Sequence, residues 1–568
     1  MAAGFGKLSR LAWAVVLAVF LAVPCVGQGE PKVVLVAGQP MYDAVRSLGC
    51  QMGPGITGNA QKINAHLLTK PAYPLFIPGG YFAITEPIVI PAYEGVGVIQ
   101  GNGLTAILSD PQYSGPLGIG GNPTRIVWEG NDTDPMIQHN GVYLIIRDLT
   151  FQGRPVPLAE QQPPTRTMAR LGIHVRTQAQ TTRPTGKLYI QNIGFWQIGT
   201  HLLFGQDLDS PIASIYEQDN SDESFWIGTA HYFSYGAGAG SGMLAAGSGN
   251  TNRVITLGTL PIHTYGITVG APVDVVWTGG TRRNLRVTAV SGAQGETITL
   301  GGGNGDNLPS AQTAVTATEE RVCFRFRTQQ ALDFTGNRSM VWGDARDVFW
   351  FESGSRLMQQ HLSMVPYTYG RLNNVATNVL RTGTKANWAA YDISLTMDSH
   401  ATNVRLLDMD APVLGGTAVF RGFQILAAST GDEPPGGGTY AVPLVRARGG
   451  MTVRLENFNQ IRPGAIQLLG DDLANQQGRI AACHLEHCLF SPHFHVGPYA
   501  APDGGYAEDL LHPDSTGPYW LTWRDCANWS VGPTSGAESD GKYITWPYED
   551  GEVLDVPAKL PGKRPPPP

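Results

Sequence analysis

A short phrase recurs along the chain with its polar position held fixed: apolar, any residue, a small or polar residue, apolar, any, apolar. Its clearest copies are Ile146-Arg147-Asp148-Leu149-Thr150-Phe151 and Ile190-Gln191-Asn192-Ile193-Gly194-Phe195. Looser copies stand at Ala345–Trp350, Phe420–Ile425 and Leu485–Phe490, and Leu455-Glu456-Asn457-Phe458 begins one that breaks down at Gln460. Alternation at period two marks a strand, and Asp, Asn or Gly between two strands marks a corner where φ can turn positive. One strand–corner–strand unit cannot bury its own apolar face, so repetition implies stacked rungs, a β-solenoid. Ile146, Leu149 and Phe151, with their counterparts, are expected to point inward.

Composition agrees with a turn-rich β protein: 71 Gly and 41 Pro are spread between apolar runs and not gathered into low-complexity tracts. Residues 1–27 read as a secretory signal, with Lys7 and Arg10 ahead of the apolar run Leu11–Val23 and cleavage after Gly27. A membrane anchor would need about 20 apolar residues, and no later stretch could span a membrane. The expected location is secreted, periplasmic or cell-surface. Loss of Lys7 and Arg10 takes the formal charge from -7 to -9, which disfavours nucleic acid as a partner. Cys50, Cys323, Cys483, Cys488 and Cys526 remain, an odd set that describes no disulfide framework. Strand parity turns Cys483 and Cys488 into the core, unbonded to one another.

Near the start, Thr57-Gly58-Asn59-Ala60-Gln61-Lys62-Ile63 leads a short helix. It is followed by Pro74-Leu75-Phe76-Ile77-Pro78-Gly79-Gly80-Tyr81, Ile88-Val89-Ile90-Pro91 and Val98-Ile99-Gln100-Gly101-Asn102-Gly103. This series resembles the opening of pectate-lyase-superfamily proteins, although the acidic stretch usual before the helix is replaced by Gly53-Pro54-Gly55-Ile56-Thr57-Gly58-Asn59. The resemblance implies an all-β, right-handed parallel β-helix with an N-terminal capping helix. Thr57 or Asn59 could cap that helix in place of the missing acids.

The phrase is interrupted over 236–320, where a Gly-rich link precedes short strands such as Val273–Trp277 and Leu285–Val290. That segment reads as a small β-barrel or sandwich inserted between two β-helix parts, 28–235 and 321–535. Residues 536–568 read as an extension with a Pro-rich tail.

In each rung a further strand follows the phrase. Asn192 to Gly205 and Asn457 to Gly470 have the same length and deliver His201–Asp207 and Ile466–Asp472 in one register. In pectate-lyase-like proteins this strand floors the substrate groove. Asp471 and Asp472, with His493 and His495 from the next rung, form the candidate catalytic cluster, since carboxylates and imidazoles perform acid–base chemistry on glycosidic bonds. A polar turn and a divalent metal site are the competing readings. Outward columns place Arg421 with Glu456 and Glu486, and Arg454 with His484. Arg421, Arg454, His484 and Glu486 are the candidate substrate-binding residues, against the plainer reading of a solvated charged sheet. Arg446 and Arg448 offer further cations to neutralise a uronate.

The expected function is action on an extracellular polysaccharide, by lyase-type β-elimination, by glycoside hydrolysis, or by binding alone as an adhesion or tailspike-like surface protein. No tight acidic calcium motif is visible, and a divalent cation such as calcium stays open as cofactor. The oligomeric state is open between monomer and trimer.

Overall fold

In the computed structural model the described residues lie between Val33 and Asp555. Connecting stretches 104–122, 154–168, 177–186, 209–223, 258–271, 366–376, 426–442, 491–509 and 532–542, and several of up to eight residues, are outside them. Among the described residues the protein is nearly all β, with a single helix, Asn59–Thr69. A nineteen-stranded sheet, a ten-stranded sheet, a closed six-stranded barrel and a small three-stranded sheet hold the strands.

The chain passes back and forth between the two large sheets. Thr200–Gly205, Val322–Arg327, Asp347–Ser353, Thr377–Lys385, Val404–Met409, Val445–Arg448 and Ile466–Leu469 pair successively, all parallel, in the ten-stranded sheet. Between them the chain visits the nineteen-stranded sheet, where Gly415–Ile425, Met451–Glu456, Ala481–Glu486 and Tyr519–Arg524 are likewise parallel neighbours. Parallel partners must be joined by a crossover, and here each sheet's strand serves as the other's crossover.

The recurring phrase is where the nineteen-stranded sheet turns its corner. Asp148, Asn192, Asn457 and His487 all have positive φ, between 52° and 60°. The strand Lys187–Trp196 shows the consequence: Leu188–Ile190 before the hinge pairs with Phe225–Ile227, while Ile193–Trp196 beyond it pairs with Ala230–Phe233. Successive hinges hydrogen-bond, Asn192 Nδ2 donating to Asp148 Oδ1 at 2.9 Å. Gly101 packs below them because a Cβ there would lie 2.2 Å from the Asp148 carbonyl oxygen.

Two looser copies of the phrase are not corners. Asp347 starts a strand of the ten-stranded sheet and accepts a 2.6 Å hydrogen bond from Asn378, so its buried carboxylate belongs to a charged face. Gly422 lies inside the strand Gly415–Ile425, whose register with its neighbour slips between Leu395 and Thr396. A corner the phrase did not flag stands at Asp525, with φ 49°.

Inward residues fill the space between the sheets. Ile146, Leu149, Phe151, Cys483, Leu485 and Cys488 are fully buried, and all five described cysteines carry free thiols. Rungs recur about every 4.8 Å, so identical residues in one register stack. Phe204, Phe326 and Phe351 form a column with centroids 4.9 and 4.2 Å apart and planes within 7°.

The barrel runs from Ala239 to Glu319 through antiparallel pairings and has its own apolar centre, including Leu244, Ile255, Val273, Leu285, Ile298 and Val315. The ends of the large sheets are finished differently. The helix Asn59–Thr69 lies over the first strand of the ten-stranded sheet, where the Val89 amide donates to Asn64 Oδ1 at 2.8 Å. Asn59 caps nothing; its amide ties the helix to the carbonyls of Gln51 and Ala83. At the far end of the nineteen-stranded sheet Gly551–Asp555 pairs antiparallel with Tyr519–Arg524.

Candidate functional site

Alternation in the last rungs of the nineteen-stranded sheet sends Val453, Leu455, Cys483, Leu485 and Leu521 inward and leaves the residues between them facing out. Register then sets Arg421, Glu456, Glu486 and Arg524 in one outward column, and Arg454, His484 and Thr522 in the next. All four sequence-derived substrate-binding residues, Arg421, Arg454, His484 and Glu486, therefore share one face.

Their charges are linked end to end. Arg421 pairs with Asp392 and, at 2.9 Å, with Glu456; Arg454 pairs with Glu456 at 2.9 Å and with Glu486. Three carboxylates thus alternate with two guanidiniums. The arginine side chains are 36% and 45% exposed, so each pair contributes at most about 1 kcal/mol. The ladder therefore adds little to stability while fixing the order of charges along the face.

Beside it His484 Nδ1 meets Thr522 Oγ1 at 2.7 Å, and the imidazole stands edge-on to Trp520 with centroids 5.1 Å apart. Partial burial, then the Arg454 charge, moves the His484 pKa below the usual histidine value, so the ring is neutral at pH 7. Trp520 keeps 37% of its surface exposed while its indole N–H donates to Glu552 at 3.0 Å. Leu554, its register neighbour, is 55% exposed. An open aromatic ring, a neutral imidazole and a row of fixed charged groups occupy one continuous face.

The outward side of the ten-stranded sheet is of a different kind. Arg325, Trp350, Arg381, Asp408, Arg446 and Gln467 form one column across it. Arg325 and Arg381 lie over the Trp350 ring, 3.7 and 4.3 Å from its centroid. Glu352 is held between Arg325 at 2.5 Å and Arg327 at 3.2 Å. Burial by itself would raise the Glu352 pKa, but the two guanidiniums outweigh it and the net shift is downward. Asp410 responds in the same way to Arg381 and Arg283. The neighbouring guanidiniums thus favour the ionised form of both carboxylates. At the more open end Arg446 pairs with Asp408 at 2.5 Å, and Arg448 donates to the Met409 carbonyl at 2.9 Å.

Sequence reading named Arg446 and Arg448 but missed Arg325, Trp350, Glu352, Arg381, Asp408 and Asp410. A signal was present: Arg325-Phe326-Arg327, Asp408-Met409-Asp410 and Arg446-Ala447-Arg448 each flank one apolar residue with like charges, the alternation of a strand with a charged face.

Of the candidate catalytic cluster, Asp471 alone is among the described residues. Its amide donates to the Arg479 carbonyl at 3.0 Å, just past the strand Ile466–Leu469. Asp472, His493 and His495 lie outside them. Among the described residues no group of three or more His, Cys, Asp or Glu side chains is placed to hold a metal ion, and no helix is long and apolar enough to cross a membrane.

No protein-family model matches the chain, and no curated protein does. Solved structures similar to it include the pre-mature bacteriophage phi29 gene product 12, at 10% identity and a TM-score of 0.30, covering 85% of this chain and 51% of that one. Another is the tailspike protein gp49 from Pseudomonas phage LKA1, at 11% identity and a TM-score of 0.17, covering 76% and 53%. The chain spans about half the length of each, 51% and 53%.

Proposed function

We propose that the chain is an exported polysaccharide-binding protein, built as a right-handed parallel β-helix with the barrel inserted as a separate domain. Its contact surface is the outward face around Trp520. The observation that carries this reading is the exposed indole of Trp520, set edge-on to His484 beside the ladder Arg421–Glu456–Arg454–Glu486. An open indole face stacks on the C–H face of a sugar ring, and planar guanidinium and carboxylate groups match hydroxyl donors and acceptors. Consecutive rungs repeat the charged groups at a short interval, which suits a polymer better than a compact ligand.

Binding is favoured over cleavage because each ladder carboxylate already engages a guanidinium. A lyase or hydrolase reading rests on Asp471, Asp472, His493 and His495 and on the resemblance of the opening segment. One experiment separates these readings: the mature protein is titrated calorimetrically with a panel of neutral and acidic polysaccharides, and each mixture is assayed for reducing ends and unsaturated uronides. Saturable binding without either product supports the proposal. New reducing ends would transfer the case to hydrolysis, and new ends with unsaturated uronide to elimination. A panel with no binding would overturn the polysaccharide reading itself.

A further inference from the structure

The last corner of the nineteen-stranded sheet brings two cysteines face to face. Glu486 pairs with Arg524 before the corner, and Leu489 pairs with Ala527 after it. Two residues separate these pairs on each rung: His487 and Cys488 on one, Asp525 and Cys526 on the other. His487 and Asp525 are the left-handed hinges, with φ 52° and 49°, so Cys488 and Cys526 hold the same position in consecutive rungs. Backbone bonds close the ladder on both sides, from the His487 amide to Arg524 O at 3.2 Å and from the Ala527 amide to Cys488 O at 3.0 Å.

Both side chains turn inward, and both cysteines are buried, at 0% and 3% exposure. Their surroundings repeat by one rung. Cys488 Sγ lies 3.3 Å from Glu486 O and 3.5 Å from Leu455 O, while Cys526 Sγ lies 3.2 Å from Arg524 O and 3.8 Å from Leu485 O. Each thiol's largest electrostatic influence is the other, which pushes Cys488 up and Cys526 down from the ordinary thiol range. A rung spacing of about 4.8 Å falls within the roughly 4.4–6.8 Å between α-carbons that a disulfide spans.

We propose that Cys488 and Cys526 form a disulfide that staples the last two rungs together. The remaining cysteines have no such partner in register: Cys483 faces Val453 and Leu521. Five thiols that suggest no framework in the sequence thus resolve into one matched pair and three core residues. The oxidant is a protein or small-molecule disulfide. The Cys526 thiolate attacks it, forming a mixed disulfide and releasing one thiol; the Cys488 thiolate then displaces the second. Two protons and two electrons pass from the cysteine pair to the carrier, which leaves as two thiols.

The test uses the full mature chain, refolded with oxidised glutathione or with dithiothreitol, then denatured, alkylated and mapped by peptide mass spectrometry. The expected result is a cross-linked peptide joining Cys488 to Cys526, with Cys50, Cys323 and Cys483 alkylated. The urea midpoint should be higher for the oxidised protein, and that difference should vanish in Cys526→Ser. Alkylation of both Cys488 and Cys526 after oxidation, or either one cross-linked to a different cysteine, overturns the proposal. The mapping is read on the unsubstituted protein, so a variant that fails to fold leaves it decisive.

Discussion

Arg283, on a strand of the barrel, reaches Asp410, the residue that follows the strand Val404–Met409 of the ten-stranded sheet, at 2.9 Å, and the same carboxylate takes Arg381 from that sheet at 3.4 Å. One anion therefore joins two structures with separate apolar centres. Removing a partner from a buried pair costs more than the pair contributes, because the remaining charge stays out of water. Arg283→Met should destabilise the protein by about 1–3 kcal/mol, with Arg381 limiting the loss. A double-mutant cycle with Asp410→Asn, followed by urea denaturation, should return a favourable coupling. Strict additivity would refute it.

The hinge at Asn192 gives a second expectation. Its φ of 54° costs a β-branched residue far more than glycine. Asn192→Val should lower stability by about 1–3 kcal/mol. Asn192→Gly should lose only what the 2.9 Å bond to Asp148 contributes, about 1 kcal/mol. Thermal melts of the two variants would rank them, and equal losses would contradict a strained corner.

Phe326 sits in the middle of the Phe204–Phe326–Phe351 column and is fully buried. Truncation there leaves a cavity with a ring on either side. Phe326→Ala should cost about 3–5 kcal/mol, and Phe326→Leu about half of that. Chemical denaturation measures both.

His174 predicts a pH dependence. Its Nε2 donates to the Gly205 carbonyl at 2.9 Å, and burial, the largest influence, lowers its pKa to about 4 from 6.5. Between those values the unfolded chain binds a proton that the folded chain refuses, so stability rises with pH across this window and is lost as pH falls through it. The contribution is on the order of 3 kcal/mol. His174→Gln should flatten the stability profile between pH 4 and 6.5, read from urea midpoints, and an unchanged slope would remove His174 as its source.

On the proposed binding face, Trp520→Ala should weaken polysaccharide affinity at least tenfold, about 1.4 kcal/mol, while the loss of its contacts with His484 and Glu552 lowers the melting temperature only modestly. His484→Ala should weaken it less. Calorimetry on the folded variants decides, and undiminished affinity in Trp520→Ala would move the contact surface elsewhere.

The strong copies of the hinge phrase were legible because Asp148 and Asn192 stand at positive φ, where local backbone sterics already favour Asp, Asn or Gly before any partner is considered. Asp347 looked the same in sequence, yet its carboxylate is selected by Asn378 and Arg381, partners that tertiary structure supplies. The outward columns holding Arg421, Arg454, His484 and Glu486 could be read from strand parity. Parity could not tell that each arginine would meet two carboxylates, because that depends on side-chain reach across rungs. The partnership of Cys488 with Cys526 was hidden for a related reason: 38 positions separate them, and only the stacking register makes them neighbours.

The antiparallel strand Gly551–Asp555 has a consequence for how copies of the protein meet. A parallel stack that stopped at Tyr519–Arg524 would offer bare amides and carbonyls in the orientation that a second molecule's first rung could extend, and end-to-end fibres would follow. The reversed strand Gly551–Asp555 covers that edge, so no further parallel rung can pair directly with Tyr519–Arg524. At the opposite end of the same sheet Val33–Val36 folds back antiparallel on Gln39–Asp43. Each end of the sheet thus presents a strand of reversed direction in place of a bare parallel one.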